Sequence, residues 1–579
     1  MYIKVTSSGG RRYAQLVESY RNDEGLPRQR TICTLGRVEP GGDVDKIIGA
    51  LQRAQGVEAS SSAALDPLAG LQFLDARAAG DVWALMQLWQ SLGLDELAHA
   101  WRRSRSQVDV LALFRAMVFN RLCDPQSKLG VMRWLDTVAL PVDFGLAGGL
   151  PAHQHLLRAM DVIDEHHEAL RDRLALLVRP LIDQELSLVF YDLTTVRARG
   201  MSQPEGDVRA HGKAKSGLIE RQFMLSLVQT GDGLPIDHQV HPGNTAEART
   251  LLPMIRGLMA RYPLKRVVLV ADRGLLSLSN LEELAQLQDT LQAEGIKVRL
   301  EYILAVPAAR YGEFAQSLAL MAKAQGAAQA CDAQQTPWVS ELDWQSRRLV
   351  VAHDPEVAQR RTQERRKQID ELVKQGQEWG GQLDAQDAGQ KRRGRPLSDS
   401  GAKARLYHAV KEANVANLIK VDLKHEEFSF SVDEDRQRYL ELLDGKLLLV
   451  TNTDTPAAEV VAHYKSLADI ERGFRVLKSD IEIGPVYHRL PERIRAHAMV
   501  CFVALLLYRV MRMRLKASKR EESPTRLLEQ LRRIQHQTAK AQDGRKISGL
   551  TEISATQKSL LSALKLAVPT PGAIQSPHL

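Results

Sequence analysis

Hydrophobic and polar positions change rhythm several times along the chain. In the first forty residues they alternate in strand fashion, interrupted at Ser7-Ser8-Gly9-Gly10 and at Asn22-Asp23-Glu24-Gly25, which predicts a small antiparallel sheet. From about Val44 to Asp183 apolar residues recur at three and four, as in DVWALMQLWQSLGLDELAHAW and SQVDVLALFRAMVFNRL, and the expectation is an all-helical unit. The rhythm then shortens again. LSLVFYDLTTV is an apolar, β-branched run with Asp192 inside it, followed by a polar stretch rich in Gly and Lys. RQFMLSLVQT and LPIDHQVHPG, separated by Gly231-Asp232-Gly233, read as a hairpin. Behind the capping pair Asn244-Thr245, AEARTLLPMIRGLMARY is helical, and RVVLVADRG is a buried strand ending at Asp272. A helix over Ser279 to Glu294 leads into the strand IKVRLEYILAV.

The predicted order is strand, strand, strand, helix, strand, helix, strand, which is the order of a ribonuclease-H-like core: an α/β fold with a mixed sheet flanked by helices. Beyond Pro307 the pattern is irregular. Two strand-like pieces, WQSRRLVVAH and EEFSFSV, bracket the charged helical stretch EVAQRRTQERRKQIDELVKQ, and this segment reads as an insertion. Strand KLLLVTN follows, then Thr455 as an N-cap and Pro456 as the first residue of a helix running to about Lys478. Six regions are expected: a small β unit (1–43), a helical domain (44–183), a first core part (184–306), the insertion (307–446), a second core part with the helix that Pro456 begins (447–515) and a basic helical C-terminal region (516–579).

A chain of 579 residues exceeds one ordinary core, and 44% hydrophobic with 26% charged residues is a globular composition. The apolar run from Ala498 to Tyr508 is shorter than the roughly 20 residues of a membrane span and reads as a buried helix. The N-terminal MYIKVTSSGGRRY lacks the apolar segment of a signal peptide. Cys33, Cys123, Cys331 and Cys501 are too scattered for a zinc site or a disulfide framework, so a cytoplasmic setting is expected. Charge is concentrated: residues 464–546 hold 19 Lys and Arg against 9 Asp and Glu, a larger excess than the +8 of the whole chain. That field suits a polyanion as partner, and equally a solvated helical surface.

On the predicted helix after Pro456, Tyr464, Glu471 and Lys478 are spaced by seven, two helical turns, and share a face with Leu467 and Arg475. The face is open to two readings: a carboxylate flanked by phosphate donors, with Arg475 able to clamp bidentately and Lys478 acting as a point charge, or ordinary i,i+4 charge pairs. Asp192 and Asp272 tip the balance, because a carboxylate on a core strand is costly without a partner and a shared cation is one solution. Asp272, followed by Arg273, is also open to reading as a helix cap or an arginine partner. Three converging carboxylates suit hard divalent cations such as Mg²⁺, and a two-ion site performs in-line displacement at phosphorus.

Together, YDLTT, ADRG and YKSLADIERGFRVLK resemble the insertion-sequence DDE transposases of the IS-four-like superfamily, in the subgroup whose signature is Tyr, Glu and Lys at these spacings. HPGNTAEART and NRLCDPQSKLGVMRWL are similar to members of that group as well, so the likeness covers most of residues 1–515. The resemblance implies that Asp192, Asp272 and Glu471 hold two ions, Mg²⁺ with Mn²⁺ able to substitute. It implies that Tyr464 and Lys478 contact DNA phosphates, with Arg475, Arg472 and Arg273 as further DNA-binding candidates. Leu467 departs from the signature, which often has Arg there; Arg472 or Arg475 could supply that charge. The implied reaction nicks DNA at the terminal inverted repeats with water, then directs the freed 3′ hydroxyl at target DNA, within a homodimer on paired ends. Two other functions compete: a non-cleaving DNA-binding regulator derived from a transposase, and a ribonuclease-H-like host nuclease.

Lesser signals remain. Lys391-Arg392-Arg393-Gly394-Arg395-Pro396 could enter a narrow minor groove or be a solvated loop. His238 and His241 are expected to be satisfied locally rather than to hold metal, and Glu205, Asp207 and Glu247 are carboxylates that could support the site.

Overall fold

A computed structural model describes the chain except for residues 23–24, 39–41, 55–70, 147–150, 183–187, 214–218, 246–247, 263, 265, 272–277, 296, 329–336, 391–395, 542 and 576–579. It divides into two compact units. The first, Met1–Asp75 with Thr538–Ser548, is built on the antiparallel sheet β1 (Tyr2–Ser8), β2 (Arg11–Arg21) and β3 (Pro27–Arg37), followed by helix α1 (Asp43–Ala54). Gly9 and Gly10, both at positive φ (58° and 77°), make the two-residue turn that the right-handed twist of a hairpin favours. Strand β4 (Gln72–Ala78) carries the chain from the first unit into the second.

The second unit begins with a helical layer: α2 (Gly80–Ser91), α3 (Val110–Cys123), α4 (Lys128–Leu135), the short strand β5 (Leu140–Pro141), α5 (His153–Glu165) and α6 (His167–Val178). Asp109 and Ser127 start α3 and α4 by accepting the backbone N–H of Ala112 (2.9 Å) and Gly130 (3.2 Å).

A nine-stranded mixed sheet follows, formed from β6 (Leu188–Arg197), β7 (Ala210–Lys213), β8 (Ile219–Thr230), β9 (Pro235–Pro242), β10 (Arg266–Ala271), β11 (Arg299–Ala305), β12 (Trp338–Trp344), β13 (Arg347–His353) and β16 (Lys446–Thr451). Its order is β12-β13-β16-β11-β10-β6-β8-β7, with β9 also paired to β8. β10 runs parallel to β6 and β11; the other pairs are antiparallel. Helices α7 (Ala248–Arg261) and α8 (Leu278–Ala293) form the connections around β10, as the 3.6-residue rhythm predicts.

The stretch WQSRRLVVAH, expected within the insertion, supplies a turn and β13, which with the preceding β12 forms a hairpin at the edge of this sheet: β12 pairs with β13, and β13 pairs with β16. Its turn residues Gln345 and Ser346 both take positive φ (51° and 58°) without the Gly or Asn that usually announces such a turn. Beyond α9 (Ala315–Ala328) and this hairpin, α10 (Pro355–Asp387), α11 (Asp399–Glu412), β14 (Ile419–Val421), β15 (Phe430–Val432) and α12 (Glu434–Leu443) gather around a hydrophobic cluster of their own, including Ile369, Leu406, Val410 and Ile419.

The chain then crosses the sheet as α13 (Ala457–Ser479) and enters α14 (Pro491–Ala517). The apolar run expected to be a buried helix is the heart of α14: 89% of its most apolar window is buried. It packs on α3 and α5 and places the helical layer and the sheet in one hydrophobic core. The C-terminal region holds α15 (Pro524–Leu531), the hairpin strands β17 (Gln535–Lys540) and β18 (Lys546–Leu550), α16 (Ala555–Ala563) and β19 (Ile574–Gln575), which pairs with β5. The sequence suggests helix as far as Lys546. The strand pattern escapes notice because the inward positions of β17 include the polar His536 and Thr538.

Candidate active site

Strand β6 alternates as a two-sided core strand must. Val189, Tyr191 and Leu193 point to one face; Phe190, Asp192 and Thr194 point to the other. The Tyr191 hydroxyl bonds the Thr250 hydroxyl (2.5 Å) and ties the first face to α7. On the second face the antiparallel register sets Phe190 opposite Gln229 and Asp192 opposite Leu227 of β8. Asp192 is half-buried, between the buried Tyr191 and Leu193, and its carboxylate accepts the N–H of Leu193 (2.7 Å).

On the other side of β6, Val270 of β10 lies beside Phe190. In sequence each strand has its aspartate two residues after that pair. Asp272 and Arg273 follow directly on β10 and lie outside the described residues.

Helix α13 packs across β6, β10 and β11 on the Asp192 face, and a glycine fixes how closely. A Cβ on Gly473 would stand 2.5 Å from Gln229 Nε2 and 3.1 Å from Arg509 Nη2, so only a residue without a side chain admits this approach. Val460, Val461, Phe474 and Leu477 bury the inner side of the helix. Glu471 is on this helix, two residues before Gly473, and its side chain lies outside the described ones. Tyr464 is half-buried against the core, while Arg472, Arg475 and Lys478 are exposed. The expected N-cap is displaced by one residue: Pro456 occupies it, and the Thr455 hydroxyl instead accepts from Arg266 (3.2 Å) and meets Thr453 (2.7 Å).

The end of α13 is tied back to β6. Arg121 donates to the carbonyls of Ile481 (3.3 Å) and Glu482 (3.1 Å), His497 bonds the carbonyl of Ile483 (3.0 Å), and Val486 exchanges backbone bonds with Arg197 and Arg199 (2.9 and 2.8 Å). The groups beneath this segment are closely packed and basic. Lys128 Nζ meets His497 Nδ1 at 3.4 Å; burial, and then the charge of Arg121, brings the Lys128 ammonium down to about 7. Burial, with Lys128 next, brings His488 down to about 3. Arg121, Gly473 and Gln229 were not singled out by sequence reasoning; an isolated glycine within a helical pattern was the one available signal.

The secondary signals resolve as local structure. The His238 ring stacks on Phe502 with centroids 4.4 Å apart, and His241 meets the Ser226 hydroxyl at 2.9 Å; burial lowers both imidazoles, His241 to about 4. Asp207 is held by Arg209 (2.9 Å) and Arg221 (2.7 Å), and Glu205 is exposed. Glu247 and the basic run 391–395 lie outside the described residues. Among the described residues no group of three His, Cys, Asp or Glu side chains converges; Asp192 is the member of the expected triad whose side chain is described.

This chain belongs to the transposase DDE domain family, whose model matches residues 183–507, more than half of its length and a span that contains both β6 and α13. Residues 3–62 match the N-terminal domain of the IS1634 family transposases, so the chain is a transposase of the insertion-sequence kind. A comparison with curated proteins found no match.

Proposed function

We propose that the chain cuts DNA at the terminal inverted repeats of an insertion sequence and joins the freed 3′ hydroxyl to target DNA, with Asp192, Asp272 and Glu471 as the carboxylates of a two-ion Mg²⁺ or Mn²⁺ site. One observation carries this reading. Helix α13, which bears Glu471, is seated by Gly473 against Gln229, on the same face of the sheet as Asp192. The parallel pairing of β10 with β6, each with an aspartate two residues past the Val270–Phe190 pair, supports the third member. The strand order β9-β8-β6-β10-β11, antiparallel as far as β6 and parallel from β6 through β11, supports a ribonuclease-H-like core, and the separately packed segment from α10 to α12 supports an insertion before the glutamate helix.

A carboxylate triad is the donor set hard divalent ions take, and this face also carries a buried hydroxyl, Thr194 Oγ1, with no partner among the described residues. When bound, the ions would supply activation of the attacking oxygen and stabilisation of the leaving one. The protein's own part is placement. β6 fixes the Asp192 carboxylate on a strand buried on both sides, and α13 presents Glu471 from a helix fastened at both ends. Exposed Arg472, Arg475 and Lys478 offer charge-assisted bonds to DNA phosphates beside that helix, with Tyr464 at its inner edge and Arg273 next to Asp272. The Tyr–Glu–Lys spacing supports membership of the IS-four-like subgroup, and chemistry on paired ends favours a homodimer in the cytoplasm.

The test is incubation with Mg²⁺ and DNA carrying the inverted repeats that flank the gene. The wild-type chain is expected to nick at the repeat ends, and Asp192→Asn, Asp272→Asn and Glu471→Gln each to abolish nicking. Cleavage that survives Asp192→Asn or Glu471→Gln refutes the assignment.

A further inference from the structure

Resting on the metal-site reading above, we propose that Gln229 is a positioning residue of that site, pairing through its carboxamide with metal-bound water and a ligand carboxylate. Gln229 lies on β8 directly opposite Phe190, which makes it the diagonal same-face neighbour of Asp192; Cα atoms so related are roughly 7–8 Å apart. Its amide end reaches the glutamate helix, since Nε2 would stand 2.5 Å from a Cβ at residue 473, two residues beyond Glu471. The side chain thus spans the gap between a strand that carries one proposed ligand and a helix that carries another.

Gln229 is fully buried, and neither Oε1 nor Nε2 has a hydrogen-bond partner among the described residues. A buried amide left so is costly, and a position needed only for packing would take Leu or Met, as Leu225, Leu227 and Met224 do on the same strand. A carboxamide both accepts and donates, so its oxygen can accept a hydrogen bond from a coordinated water while its NH₂ donates to a carboxylate oxygen. Outer groups of this kind orient metal ligands.

The experiment is Mn²⁺ titration of the full chain, followed by the electron paramagnetic resonance of free Mn²⁺, with a thermal melt of each variant. Gln229→Leu is expected to weaken Mn²⁺ binding about 10- to 100-fold without lowering the melting temperature, because the leucine removes the unpaired amide. Gln229→Glu keeps an oxygen acceptor but loses the donor and sets a second carboxylate against the ligand carboxylate, so it too is expected to bind Mn²⁺ more weakly than wild type. If Gln229→Leu does not fold, Gln229→Met gives the same reading. Wild-type affinity in Gln229→Leu, beside lost affinity in Asp192→Asn, overturns the role of Gln229 alone; wild-type affinity in Asp192→Asn overturns the metal-site reading beneath it.

Discussion

Replacing Gly473 by alanine sets helix propensity against contact geometry. Alanine is favoured over glycine inside a helix by about 1 kcal/mol, so an uncrowded site would gain stability. Here the new methyl group would lie 2.5 Å from Gln229 Nε2 and 3.1 Å from Arg509 Nη2. Gln229 is fully buried and has no solvent to swing into, so the helix itself must give way. Overpacking of this kind costs roughly 1–3 kcal/mol, which leaves a net change between about zero and a loss of about 2 kcal/mol. Activity is the sharper readout, because misplacing a catalytic group by about 1 Å lowers rates on the order of 100-fold. Thermal melts and Mg²⁺-dependent nicking should therefore separate, with near-normal folding and a large loss of cleavage. Gly380 in α10, whose added Cβ meets nothing within 4 Å, is the control; Gly380→Ala should gain about 0.5–1 kcal/mol and nick normally. A Gly473→Ala protein that gains stability like the control and nicks at the wild-type rate would refute the close seating of α13.

Two further outcomes follow from buried charge. Unfolded, Lys128 keeps its proton up to 10.5; folded, it gives it up at about 7, so between these limits the unfolded state binds more protons and stability rises with pH. The advantage of Lys128→Met over wild type should be largest at and below neutral pH. It should shrink by up to about 1.4 kcal/mol per unit above, and urea unfolding that shows no such trend would contradict the burial of Lys128. Asp237 is almost fully buried and takes two bonds from Arg171 (2.9 and 2.7 Å), so Asp237→Ala leaves the buried guanidinium with only the exposed Glu168 as carboxylate partner and should cost about 3–5 kcal/mol; calorimetry showing a loss below about 1 kcal/mol would contradict it.

The legible parts of the fold were those where burial and rhythm agree. β6, β10 and β11 are apolar runs flanked by helices of 3.6-residue periodicity, and their acidic residues stand out because the neighbours are core residues. Three features were hidden for definite reasons. The turn at Gln345 and Ser346 lacks glycine and asparagine, so β12 goes unread and β13 reads as a strand within an insertion rather than as part of the main sheet. β17 buries His536 and Thr538, which erases its hydrophobic alternation. The seat of α13 depends on Gln229, a polar residue distant in sequence, and its significance appears only when β8 is paired with β6 in register.

The central claim is that Asp192, Asp272 and Glu471 surround the same ions, and the most direct measurement replaces Mg²⁺ by Fe²⁺ with ascorbate and peroxide, then maps where the polypeptide is cut. Radicals formed at a bound ion cleave the nearest backbone, so cuts are predicted together around residues 192, 272 and 471, all suppressed by excess Mg²⁺ and all lost in Asp192→Asn. Cuts near residue 192 with none around residue 471 would contradict it.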